Sequence, residues 1–102
     1  MYLIGYDIGS SSVKVTLLEA DSGKTTAATS PAAEMEIAAP QPGWAEQSPQ
    51  TWWDNAVIAT QKVLADSGAR PADIKAVGIS YQMHGLVLVD KDQRVLRPAI
   101  IW

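Results

Sequence analysis

Hydrophobic and polar positions along the chain follow two periods, one after the other. From Ser12 to Glu19, Val13, Val15 and Leu17 alternate with Lys14 and Thr16, the two-residue repeat of a strand with one face against a core. Ahead of it, Tyr2 to Tyr6 is a short apolar run that enters a tight turn at Asp7-Ile8-Gly9-Ser10-Ser11. Behind it, the turn Asp21-Ser22-Gly23-Lys24 leads into a third strand expected over Thr25 to Ala33. Three strands in series with short turns predict an antiparallel meander. Glu34 to Gln47 is broken by Pro and Gly and is expected to form an ordered loop. A helical period takes over there. Ser48 supplies an N-cap, Pro49 the first helical position and Gly68 the stop, while Trp53, Ala56, Val57, Thr60, Val63 and Leu64 recur on one apolar face. Ile74 to Ser80 reads as an apolar strand. A helix between two strands predicts a right-handed crossover, which lays this strand parallel to one already in the sheet. Gly85–Val89 and Arg94–Leu96, about the turn Asp90-Lys91-Asp92-Gln93, predict a hairpin. The pattern therefore specifies an α/β fold with a mixed sheet.

Composition narrows the class. With 102 residues the chain is one small domain at most, and 47% hydrophobic with 19% charged residues is the balance of a folded protein. A formal net charge of -3 argues against a nucleic-acid partner, because a backbone reader needs a basic face. The absence of cysteine removes disulfides and thiolate metal sites and fits a cytoplasmic setting. The start has no basic flank and reaches Asp7 too soon for a signal peptide, and no apolar stretch approaches the roughly 20 residues of a membrane span. Pro98-Ala99-Ile100-Ile101-Trp102 is an apolar run without cap or polar tail, so residues 1–102 are expected to be an incomplete part of a larger fold.

Two segments are placed to carry chemistry. Asp7-Ile8-Gly9-Ser10-Ser11-Ser12 lies between two strands, with Lys14 following. Gly9 lets the backbone turn sharply. The N–H groups and hydroxyls of Ser10, Ser11 and Ser12 suit phosphate oxygens, as in anion-binding nests. Lys14 adds positive charge, and Asp7 suits Mg²⁺ through water, which that ion sheds reluctantly. The same residues would also serve as a plain hairpin turn. Tyr81-Gln82-Met83-His84-Gly85 follows the carboxyl end of the parallel strand, where α/β sheets place ligands. His84 can exchange a hydrogen bond with a hydroxyl and Met83 offers a soft apolar wall, or both can be structural. Gly43-Trp44-Ala45-Glu46-Gln47-Ser48 reads as a packed loop anchored by Trp44, and Trp52 and Trp53 as packing residues.

Taken in order, these segments resemble the FGGY carbohydrate kinases of the actin-like ATPase superfamily. Tyr6-Asp7-Ile8-Gly9-Ser10-Ser11-Ser12-Val13-Lys14 resembles the family's first phosphate motif. Pro42-Gly43-Trp44-Ala45-Glu46-Gln47 with Trp52-Trp53 is similar to its loop and helix start, and Gln82-Met83-His84-Gly85-Leu86 to the substrate motif of its xylulokinase branch. Arg97-Pro98-Ala99-Ile100-Ile101-Trp102 is similar to a stretch that continues into an Asp-containing segment. The resemblance implies a ribonuclease H-like half of a two-domain kinase over residues 1–102, and ATP- and Mg²⁺-dependent phosphorylation of D-xylulose by the full-length protein. Asp7, Gly9, Ser10, Ser11, Ser12 and Lys14 would face ATP and its Mg²⁺. Met83 and His84 would line the sugar site, with Trp102 as a further wall by likeness to glycerol kinases. The Arg-Glu pair a glycerol kinase carries near Met83-His84 is absent, which favours a ketopentose over glycerol. The catalytic base and adenosine site are implied downstream. Ribulose, gluconate and glycerol remain alternative substrates, and an actin- or chaperone-like ATPase module or a non-catalytic binding domain alternative classes. An unpaired strand edge further predicts self-association or a homodimer.

Overall fold

The computed structural model describes residues 1–102. Three strands form the expected meander: β1 (Tyr2–Ile8), β2 (Val13–Glu19) and β3 (Thr25–Ser30). β1 and β2 are antiparallel with Ile4 opposite Leu17 and Ile8 opposite Val13, and β2 and β3 are antiparallel with Val15 opposite Ala28. β3 stops at Ser30, short of the expected Ala33, because Pro31 has no N–H to give the ladder. The loop that follows ends in a two-residue strand, β4 (Glu46–Gln47), and Ala38 bridges back to Glu46.

The helix α1 (Pro49–Ser67) begins at the expected proline, with the Ser48 carbonyl rather than its hydroxyl accepting the Thr51 N–H at 3.1 Å. Gly68 ends it at φ 71°, a left-handed conformation that glycine adopts without strain, and its N–H donates to Leu64 O at 3.0 Å. A short 3-10 turn (Pro71–Asp73) leads to β5 (Ile74–Tyr81), which runs parallel to β1 with Asp7 opposite Ser80. The sheet order is β3-β2-β1-β5, so β1 is central and β5 is an edge.

Strict alternation places Ile4 of β1, Val13, Val15 and Leu17 of β2 and Ala28 of β3 on one face, and all are buried. Ala59 and Val63 of α1 complete this core together with Met35. Polar groups at the seam are paired. Ser30 Oγ donates to Asn55 Oδ1 at 2.7 Å, and Asn55 Nδ2 to Thr51 O at 2.8 Å. Thr60 spends its only hydroxyl proton on Ala56 O, so the Tyr6 hydroxyl is the donor in their 2.8 Å bond.

The helix meets the sheet with part of the expected face, Val63 and Ala56, but is rotated from the rest of it. Asn55, Ala59 and Val63 are its buried residues, whereas Trp53 is 67% exposed and Val57 is also exposed. Small residues let α1 sit closely on β2 and β3, and its bulkier stripe overhangs an open apolar groove toward Val77 and Ile79 of β5. The expected hairpin is reduced to one bridge, Val89 to Val95, closed by Asp90 N–H to Arg94 O at 3.0 Å. The final apolar run is paired: β6 (Ala99–Ile100) is antiparallel to β4, Ile100 also bridges Leu86, and Ala99 and Ile101 are buried. No helix is long and apolar enough to cross a membrane.

Candidate functional site

Residues 9–12 carry β1 into β2, and the three serine carbonyls are tied down one by one. Ser12 O accepts the Gly9 N–H at 3.0 Å, Ser11 O the Met35 N–H at 2.8 Å, and Ser10 O the Gln47 side chain at 2.6 Å. The N–H groups of Ser10, Ser11 and Ser12 donate to no protein acceptor. Three consecutive donors thus have no partner within the protein. A Cβ at Gly9 would stand 3.1 Å from Ser12 O, so a side chain there would require this turn to give by a few tenths of an ångström.

Asp7 and Lys14 face each other across β1 and β2 on the sheet face opposite α1, both exposed and without an ion pair between them. With Thr16 and Ser80 they line a shallow depression of about 420 Å³ floored by Gly5 and Gly78. Gly5 and Gly78 are register partners, so the floor is bare backbone. Sequence reading missed Gly5, Gly78 and Ser80. Their role depends on the β1–β5 register, which no local pattern contains.

It also misassigned the anchor of the 43–48 loop. Trp44 is 51% exposed, while Gln47 is the residue buried there, at 2% exposure. Gln47 Nε2 donates to Ser10 O and, at 3.2 Å, to Glu36 O, and its Oε1 accepts the Trp52 indole N–H at 2.6 Å. Arg97 forms an ion pair with the neighbouring Glu46 and so holds the same loop from its other side.

Met83 and His84 form the turn just after β5, and both are exposed. The turn is joined to the end of β1 by Gln82 N–H to Ile8 O at 3.1 Å. The Gln82 amide is buried with neither end hydrogen-bonded. Trp102 is not brought to Met83 and His84 in a common hollow. It lines a separate depression of about 250 Å³ with Trp44, Glu46 and Arg97.

The donor set suits a nucleotide phosphate better than a protein-held metal. No group of three His, Cys, Asp or Glu side chains is gathered to hold an ion. Asp7 alone fits Mg²⁺ as an outer partner of a hydrated ion carried by phosphate oxygens.

Residues 2–102 match the N-terminal domain of the FGGY family of carbohydrate kinases. The chain is 46% identical over 99 residues to a xylulose kinase of Escherichia coli strain K12, covering 97% of this chain and 19% of that protein. It is 40% identical over 101 residues to a xylulose kinase of Bacillus subtilis strain 168, covering 99% and 20%. In structure it superposes on a xyloylose kinase from Brucella ovis with a TM-score of 0.88 and 35% identity, over 100% of this chain and 21% of that one. The chain spans about a fifth of the length of these relatives. The mixed sheet and its crossover helix are the ribonuclease H-like arrangement that the resemblance implied.

Proposed function

The chain belongs to the FGGY family of carbohydrate kinases, and from that premise we propose that the whole protein transfers the terminal phosphoryl group of ATP to D-xylulose, giving D-xylulose 5-phosphate. The observation that carries this reading is the turn at 9–12. Its three serine carbonyls are hydrogen-bonded within the protein and the three serine N–H groups are free, beside an unpaired Asp7 and Lys14. Phosphoryl transfer demands chiefly positioning and charge stabilisation, which preset donors supply without reorganising.

In this reading Gly9 to Ser12 hold phosphate oxygens and Lys14 adds charge on the same face of the sheet. Asp7 orients the hydrated Mg²⁺, which when bound neutralises the phosphates. His84 meets a sugar hydroxyl and Met83 supplies an apolar wall, with Trp102 as a further wall. The base that takes the sugar proton is none of these residues and belongs to the downstream part that the family resemblance implies. Ketopentose is favoured by Gln82-Met83-His84-Gly85 and by relatives that are xylulose kinases.

The test is ADP release by the full-length protein with Mg-ATP, alone and with D-xylulose, ribulose, gluconate or glycerol. Strong stimulation by D-xylulose with formation of the 5-phosphate is expected. Release that ignores every sugar would point to an ATPase module instead, and preference for another sugar would move the substrate assignment.

A further inference from the structure

Gln47 and Trp52 connect the two ends of the site. The amide of Gln47 can point only one way, because the Ser10 and Glu36 carbonyls accept and the Trp52 indole N–H donates. Both amide hydrogens and one lone pair of the carbonyl are therefore used, and at 2% exposure water is a poor substitute for these partners. At the far side of Trp52, a Cβ built on Gly85 would stand 3.9 Å from the ring atom Cη2 and 3.7 Å from Gln82 Cγ. The edge of the ring thus lies beside Gly85, at contact distance from where a methyl group on that residue would stand, next to the turn that presents Met83 and His84. That loop has no side-chain hydrogen bond of its own to fix it, since both ends of the Gln82 amide are unpaired.

We infer that Gln47 and Trp52 are positioning residues that hold the phosphate turn and the sugar loop at a fixed separation. Gln47 sets the plane of the Ser10 peptide, and with it the aim of the neighbouring N–H groups. Trp52 passes that position on to Gly85 through its ring. Neither touches a reactant. The inference rests on the kinase reading of the site and adds to it the device that keeps nucleotide and sugar in register. In-line transfer is sensitive to such spacing, and a displacement of about 1 Å costs on the order of a hundredfold in rate.

The experiment uses the full-length protein with three variants. Gln47→Met keeps the volume and removes every hydrogen bond, Gln47→Glu keeps the bond from Trp52 but replaces the donor by a charged acceptor, and Trp52→Phe removes the N–H and the outer ring. At a temperature where circular dichroism shows each variant folded, both Gln47 variants are expected to lose roughly tenfold or more in kcat/KM for ATP, with KM for D-xylulose changed less than about twofold. Trp52→Phe is expected to raise both KM values, because it loosens both ends. If a Gln47 variant does not fold, the double effect of Trp52→Phe decides. Unchanged kinetics in the folded variants, or an equal rise in both KM values from Gln47→Met, would reduce the pair to a structural role and overturn the inference. Should the wild type phosphorylate no sugar, the proposed function fails by itself. Equilibrium binding of Mg-ATP then still judges the inference: about tenfold weaker binding by Gln47→Met supports it, and equal binding overturns it.

Discussion

Asp7 shows what a single side chain contributes here. It stands on the exposed sheet face opposite Lys14 and makes no ion pair with it, so its carboxylate is free to meet charge that arrives with a ligand. Its removal disturbs no core contact. Asp7→Ala in the full-length protein is therefore expected to lower turnover by about two orders of magnitude while sugar binding changes little, the usual result of losing one group that stabilises transition-state charge. Steady-state kinetics with a separate measurement of D-xylulose binding checks this. Near-normal turnover would leave residues 9–12 as a turn and nothing more. Asp7, Gly9 and the serines were legible from sequence because their spacing is local. Gln47 was not. It reads as one polar residue in a Pro- and Gly-rich stretch, and its importance lies in reaching Ser10, far away in the chain.

Among the elements, those with strict alternation were the most readable. Val13, Val15 and Leu17 fixed both the existence of β2 and its buried face, and Pro49 and Gly68 bracketed α1 correctly. Periodicity groups residues onto one side of a helix, but it cannot say which side meets the sheet, and so Trp53 and Val57 were placed inward when Asn55 and Ala59 are. The turn between β2 and β3 carries its own titration. The Ser22 N–H, at 2.7 Å from Glu19 Oε2, holds the Glu19 carboxyl down to about 2. A lowered folded value means the ionised form stabilises the turn above the ordinary carboxylate range, and that this benefit disappears as pH falls through about 2. The melting temperature of the wild type should exceed that of Glu19→Gln by a small margin near neutrality, and the margin should close progressively below about pH 4. A margin independent of pH would show that the carboxylate is not the cause.

For the whole molecule, the decisive feature is unequal cover. α1 lies over β2 and β3, while β5 pairs on one side only and leaves Val77 and Ile79 60% and 61% exposed. A strand edge beside an apolar face is a template for another chain. Residues 1–102 prepared alone are expected to self-associate or to melt at low temperature. Sedimentation and thermal melting decide the matter, and a monodisperse monomer with a high melting point would mean that this chain closes its own core.

The double pairing of β1 also sets an order of events in time. Tyr2 meets Glu19 on one side, after a short turn, and Ile74 on the other, after the whole of α1. Closing the longer segment costs more entropy, about 0.6 kcal/mol for each doubling of its length, so the parallel pairing lags the meander. Folding would then shape the phosphate turn before the sugar loop has anywhere to dock, and the nucleotide end of the cleft would be the older half of every newly made molecule. Pulsed hydrogen exchange during refolding reads this directly: amides of β2 and β3 should gain protection before those of β5, and simultaneous protection would mean that sheet and crossover form in one step.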